Sequence, residues 1–176
     1  ALVGSLLKGV LDRSIPIQFE IRARKLHKEG ERVVGVQAEK AGGDLHVRAR
    51  KGVVLATGGF EWNKELVNTF LRGPMTAPNS VPENEGDGLV MAMEAGAKLG
   101  NMANAWWMPS TLLTETQHRD AKPNYAISLA ERTMPGSIMV NRAGKRFVDE
   151  AAGYNAFGRA LHKFDENAFD YLNLPC

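Results

Sequence analysis

Tyr154 lies in a stretch rich in groups that could serve a site, Asp149-Glu150-Ala151-Ala152-Gly153-Tyr154-Asn155-Ala156-Phe157-Gly158. Small residues leave open backbone around a large polar aromatic, and two carboxylates precede it. A large polar aromatic flanked by acids and glycine looks placed rather than packed. The same pattern also suits a tyrosine that anchors a loop, and spacing leaves both readings open. A second candidate is Thr57-Gly58-Gly59, at the end of the apolar run 51–56. Glycines at the carboxyl end of a buried strand let a ligand approach the backbone, where open α/β sheets bind their ligands. A plain tight turn would read the same. A third is Asn84-Glu85-Gly86-Asp87-Gly88: Asp87 is a natural N-cap, and helix-terminal amides there could face a polar cofactor.

Trp106 and Trp107 set two flat apolar surfaces side by side. Either one is core and the other lines a cleft, or both are core. His27, His46, His118 and His162 stand alone, with no second histidine at metal-ligand spacing, so no metal site is expected. There is no internal repeat, no GxSxG elbow and no GxGxxG dinucleotide fingerprint.

The elements that must position these groups follow from periodicity. Leu2, Leu6, Leu7, Val10 and Leu11 predict an amphipathic helix over 2–12. Alternation predicts a three-strand meander over 17–26, 33–36 and 45–49, with turns at Gly30 and at Gly42-Gly43. The continuous run 51–56 predicts a strand buried on both faces. Asn63 should cap a helix reaching Phe70 or Leu71, 72–85 reads as an irregular loop, and a buried helix is expected over 89–99. Residues 111–124 read as polar and irregular. Gly136–Asn141 and Arg146–Val148 read as a hairpin around Gly144, followed by a helix whose apolar face is Phe157, Ala160, Leu161 and Phe164.

With 176 residues, 44% hydrophobic, 24% charged and a net charge of +2, the chain suits one good core or two small domains, and its balance argues against a nucleic-acid binder. Cys176 is the only cysteine, which excludes a disulfide framework within the chain and leads us to expect a reducing, cytoplasmic setting. No apolar run approaches the roughly 18 residues of a membrane helix. The start lacks a secretory signal and an initiator Met, and the chain stops at Leu174-Pro175-Cys176, so it reads as a piece of a longer protein.

Three segments in order, VVLATGGFEWNKEL, NEGDGLVMAMEAGAKLG and GSIMVNRAGKRFVDE, resemble the flavoprotein family of fumarate reductase and succinate dehydrogenase. Within it the chain is most similar to 3-ketosteroid Δ1-dehydrogenases and related 3-ketosteroid dehydrogenases. The resemblance implies an α+β (mixed α/β) fold: the end of an FAD-binding domain over 1–60, then an inserted α+β substrate-capping domain over 61–176. It implies FAD as cofactor, although the family's diphosphate loop is not in this sequence and the chain alone is not expected to hold FAD tightly. It implies Tyr154 as the proton-transferring residue and Thr57, Gly58, Gly59 and Asp87 near the flavin, with Glu150 tuning the local electrostatics. Trp106, Trp107, Met108 and Phe157 become candidate walls of the substrate pocket. A steroid-like ketone and an external electron acceptor are the implied partners.

In the fumarate reductases a catalytic Arg-Asp pair follows the hairpin. An ungapped register puts Tyr154-Asn155 there, and puts Ala130 and Thr133 where an acid and an arginine feed that proton donor. The fumarate chemistry therefore looks lost. A reductase of an unsaturated acid remains the alternative, with Arg132, Arg146 or Arg159 as the cation it needs. A non-catalytic, ligand-binding cap module is the alternative from another class.

Overall fold

The computed structural model describes residues 2–117 and 122–174. His118 and Cys176 lie outside them. Two compact units emerge, Ala1–Leu55 with Glu94–Ala97, and Ala56–Met93 with Lys98–Cys176. Helix and strand are mixed in the chain as a whole.

The first unit opens with helix α1, Leu2–Asp12. Its leucines form the expected apolar stripe, but no residue of the helix is buried. Strands β1 (Ile21–Glu29), β2 (Arg32–Lys40) and β3 (Gly43–Arg48) form an antiparallel meander in the order β1-β2-β3. Leu26, Val34 and Ala38 supply its buried side chains. Gly35 is needed where β2 meets β3, because a Cβ there would overlap the Val47 carbonyl. Lys28 ties the 94–97 segment to this unit by donating to the Ala95 carbonyl at 2.9 Å.

Residues 51–56 correct the sequence reading, since they form no strand and Val54 is 89% exposed. A run suited to burial on both faces becomes a strand only when neighbours supply a hydrogen-bonded ladder. None of the described residues does so.

In the second unit, α2 (Lys64–Phe70) starts as expected at Asn63, whose Oδ1 accepts from the Leu66 amide at 3.1 Å. Helix α3 (Asp87–Glu94) ends earlier than the predicted residue 99; Gly96 follows at a φ of +87° and Leu99 is exposed. The polar stretch expected to be irregular contains a hairpin, β4 (Ser110–Gln117) with β5 (Pro123–Ile127), in a register running from Ser110↔Ile127 to Gln117↔Pro123. The hairpin expected over 136–148 is reduced to a single bridge, Val140↔Arg146. Its turn is as predicted: Gly144 takes a φ of +69° and Asn141 N–H reaches the Lys145 carbonyl at 2.9 Å. Helix α4, Tyr154–Leu161, stops short of Phe164, which pairs instead in the two-residue strands β6 (Phe164–Asp165) and β7 (Asp170–Tyr171). Val67, Met91 and Phe157 are among the buried apolar side chains of this unit.

Candidate functional site

Tyr154 is the first residue of α4, half-buried, with Gly153 in the N-cap position. Among the described residues no hydrogen bond to its hydroxyl is formed. The chain leading into it is tightly held. Asp149 Oδ1 accepts from the Ala151 amide at 2.9 Å, and its carbonyl accepts from Ala152 N–H at 3.0 Å. Glu150 is only 6% exposed, and both its oxygens are occupied. Arg146 Nε lies 3.1 Å from each, and Met139 N–H donates to Oε1 at 2.7 Å. The Arg146 contact, then the Met139 amide, hold the carboxyl down at a pKa of about 2. Arg132 donates to the Glu150 carbonyl and sets its guanidinium 5.1 Å from the centre of the Phe157 ring, a cation–π contact.

Two of the expected site residues have other contacts. Glu150, expected to tune the electrostatics by the cofactor, is paired with Arg146 and the Met139 amide and braces the segment before Tyr154. Phe157 was expected to line the pocket, but it is 0% exposed and stacks edge-on with Phe147 at 6.3 Å. The helical period put it on an apolar face, and that face points into the core.

On the other side of α4 is a cavity of about 650 Å³. Gly158 and Leu161 line it from α4, on the same helical face as Tyr154. Trp106, 81% exposed, and Trp107, half-buried, also line it, with Met75, Met108, Leu112 and Met139. Gly158 lets Trp107 lie directly on the helix, since a Cβ there would overlap the Trp107 side chain. Tyr154 itself does not line the cavity; it sits one helical turn before Gly158.

His162 lines the cavity too, a role its sequence setting did not reveal. Its ring packs edge-on against Trp107 at 4.2 Å and its Nε2 is 3.0 Å from the Pro74 carbonyl. A carbonyl only accepts, so Nε2 carries the proton. Burial lowers the His162 pKa below the ordinary 6.5, with the Pro74 contact acting in the opposite sense. The Tyr171 hydroxyl donates to the Arg72 carbonyl at 3.0 Å, so the 72–74 backbone is clasped from two directions.

The glycine-rich segments come together as one interlocked junction. A Cβ at Gly88 would overlap Thr57, one at Gly58 would overlap the Asn84 side chain, and one at Gly59 would overlap the Glu61 carboxylate. Gly58 takes a φ of +78°, open to glycine at little cost. Asn84 accepts from Trp62 N–H through its carbonyl at 3.1 Å and donates to Glu61 Oε1 at 3.2 Å. Thr57, Gly58 and Asp87 are exposed and Gly59 is half-buried, so the junction offers an open polar face backed by rigid backbone. A flat cofactor with a polar edge fits such a face. Among the described residues no group of His, Cys, Asp and Glu could hold a metal ion, and no helix is long and apolar enough to cross a membrane.

The glycine junction and the cavity lie within one compact unit. The chain belongs to the FAD binding domain family, which it matches over residues 1–170. It is 39% identical to 4-oxocyclohexanecarboxylate 2-dehydrogenase of Sinomonas cyclohexanicum, over 99% of this chain and 31% of that one. It is also 39% identical to 3-oxosteroid 1-dehydrogenase of Mycobacterium tuberculosis, over 88% of this chain and 27% of that one. Among solved structures it superposes, with a TM-score of 0.78 and 35% identity, on 3-ketosteroid Δ1-dehydrogenase of Sterolibacterium denitrificans in complex with 1,4-androstadiene-3,17-dione. That match covers 89% of this chain and 28% of the other. The expected kinship with ketosteroid dehydrogenases is thus borne out, and the chain spans about a third or less of the length of these relatives.

Proposed function

We propose that the protein carrying this chain is an FAD-dependent dehydrogenase of a 3-ketosteroid-like cyclic ketone, passing its electrons to an external acceptor. Residues 1–60 would close the FAD-binding domain and 61–176 would form the substrate cap. The observation that carries this reading is the placement of Tyr154 on the α4 face that continues into the wall of the 650 Å³ cavity. Such a wall, aromatic and aliphatic, suits a flat apolar ring system.

Removing two hydrogens beside a ketone takes a proton from the carbon next to the carbonyl and a hydride from the neighbouring carbon. Tyr154 Oη takes the proton as the C–H bond breaks. FAD, when bound, supplies the two-electron acceptor for the hydride. Thr57, Gly58, Gly59 and Asp87 would hold its polar edge at their exposed junction. The braces on residues 149–152 fix where the Tyr154 phenol starts, the positional control general-base catalysis needs.

The test uses the full-length flavoprotein without oxygen, following flavin bleaching by 4-androstene-3,17-dione. The steroid should bleach the wild-type flavin, and Tyr154→Phe should slow the bleaching by about a hundredfold, within the usual range for a lost general base. Bleaching at the wild-type rate in Tyr154→Phe removes Tyr154 from the chemistry. No bleaching by the steroid, with reoxidation of reduced flavin by fumarate, would make the protein a reductase instead.

A further inference from the structure

We propose that Glu61 is a charge filter for the apolar cavity, admitting neutral ketones and turning away those that carry a carboxylate. This rests on the reading that the cavity receives substrate. Among the described residues lining the cavity, Glu61 is the only carboxylate and none is Lys or Arg. His162 is the lining residue that could supply a cation, and burial favours its neutral form.

The Glu61 charge is held in place. Asn84 Nδ2 donates to Oε1 at 3.2 Å, and the carboxylate lies against the Gly59 Cα where a Cβ could not fit. Glu61 therefore brings a carboxylate to the end of the cavity next to the Thr57-Gly58-Gly59 turn, while Met75, Trp107, Met108, Leu112 and Leu161 give the wall its apolar stretches and Thr76, Asn79, Ser110 and Ser128 its neutral polar ones. Nearby cations are engaged with other groups: Lys122 lies over the Trp62 ring at 5.3 Å and 3.8 Å from Glu85, Arg132 lies against Phe157, and Arg146 is paired with Glu150. Arg159 is exposed on α4 and does not line the cavity. A substrate carboxylate about 6 Å from Glu61, at an effective dielectric of about 40, would lose about tenfold in affinity. A neutral ketone of the same shape would lose nothing.

The experiment compares 4-oxocyclohexanecarboxylate with its methyl ester, a near-isosteric neutral ketone, on the full-length protein. Binding is read by quenching of tryptophan fluorescence, since Trp106 and Trp107 line the cavity. The ester should bind the wild type about tenfold more tightly than the acid, and Glu61→Gln should bring the ratio close to one by tightening the acid. A ratio unchanged by the substitution overturns the proposal. Wild-type titrations in rising salt give a second test that needs no variant: the ratio should shrink as the repulsion is screened, and a salt-independent ratio overturns the filter. 4-Androstene-3,17-dione serves as a separate arm. If it fails to bind while the ratio still responds to Glu61, the steroid reading falls and the filter stands; if it binds while the ratio stays fixed, the filter alone falls.

Discussion

The segment leading into Tyr154 and the glycine junction around Thr57 belong to the same compact unit, yet one is held by charge and the other by shape. Before Tyr154, a nearly buried carboxylate meets a guanidinium and a backbone amide, and a second guanidinium lies on a fully buried aromatic ring. Around Thr57, three glycines give up their Cβ positions so that neighbouring side chains can sit against the backbone. A charged brace fixes a residue tightly but answers to pH. A steric interlock ignores pH but tolerates no added methyl group. The residue proposed to move a proton thus stands on a charged support, and the face proposed to hold the cofactor stands mainly on close packing.

The largest effect should come from removing the ring on which the charged half rests. Phe157→Ala empties a fully buried site beneath Phe147 and Arg132, and should cost about 3–5 kcal/mol in urea unfolding of the full-length protein. A cost under about 1 kcal/mol would mean that the site collapses freely and that Phe157 supports nothing.

Next is the interlock. Gly88→Ala puts a methyl group into Thr57 and should cost about 1–3 kcal/mol, although alanine would normally favour a helix. If shape is the cause, Thr57→Ala should absorb most of that cost in a double-mutant cycle. Additive effects would show that Gly88 matters for another reason.

Much of this was legible in the sequence. The meander, α1 and the Asn63 cap follow from period and capping chemistry, and the turn at Gly144 follows from its demand for positive φ. Other features depend on partners distant in the chain. Residues 51–56 have the composition of an inner strand, and composition cannot supply a ladder. The β4–β5 hairpin hides behind Thr, Glu and Gln, because a hairpin with polar positions lacks the apolar alternation that marks one. Phe157 and Leu161 share one amphipathic helix, and the period cannot say that the first faces core and the second a cavity. The Arg146–Glu150 pair is four residues apart, but 146–150 is not helical, so the usual spacing argument gave no warning of it.

The charged half makes a prediction in pH. The folded Glu150 pKa, about 2, lies below its ordinary 4.5, so the folded state favours the ionised carboxylate. Its contribution is fully present above about pH 4.5 and is lost as the pH falls through about 2. Unfolding of the wild type, followed from pH 6 to about 2, should therefore lose stability over that window, and Glu150→Gln should flatten this component. Parallel curves for the two proteins would make the pair an ornament of the fold. Gly88→Ala should leave the pH profile unchanged and only lower it.

The smallest effect tests whether the glycine junction really depends on shape. Asn63 ties α2 to the segment that carries Gly88: Oδ1 caps α2 and Nδ2 donates to the Glu85 carbonyl at 3.0 Å, three residues before Gly88. Asn63→Ala should cost about 1 kcal/mol, the usual worth of an N-cap. Asn63→Asp keeps a cap acceptor and loses the donor to Glu85, so it should recover most of the loss if the cap is what matters. If Asn63→Ala instead cost more than Gly88→Ala, and Asn63→Asp recovered nothing, the tie to Glu85 would be holding the junction. The contrast between a charged half and a steric half would then fail, because both would depend on polar contacts.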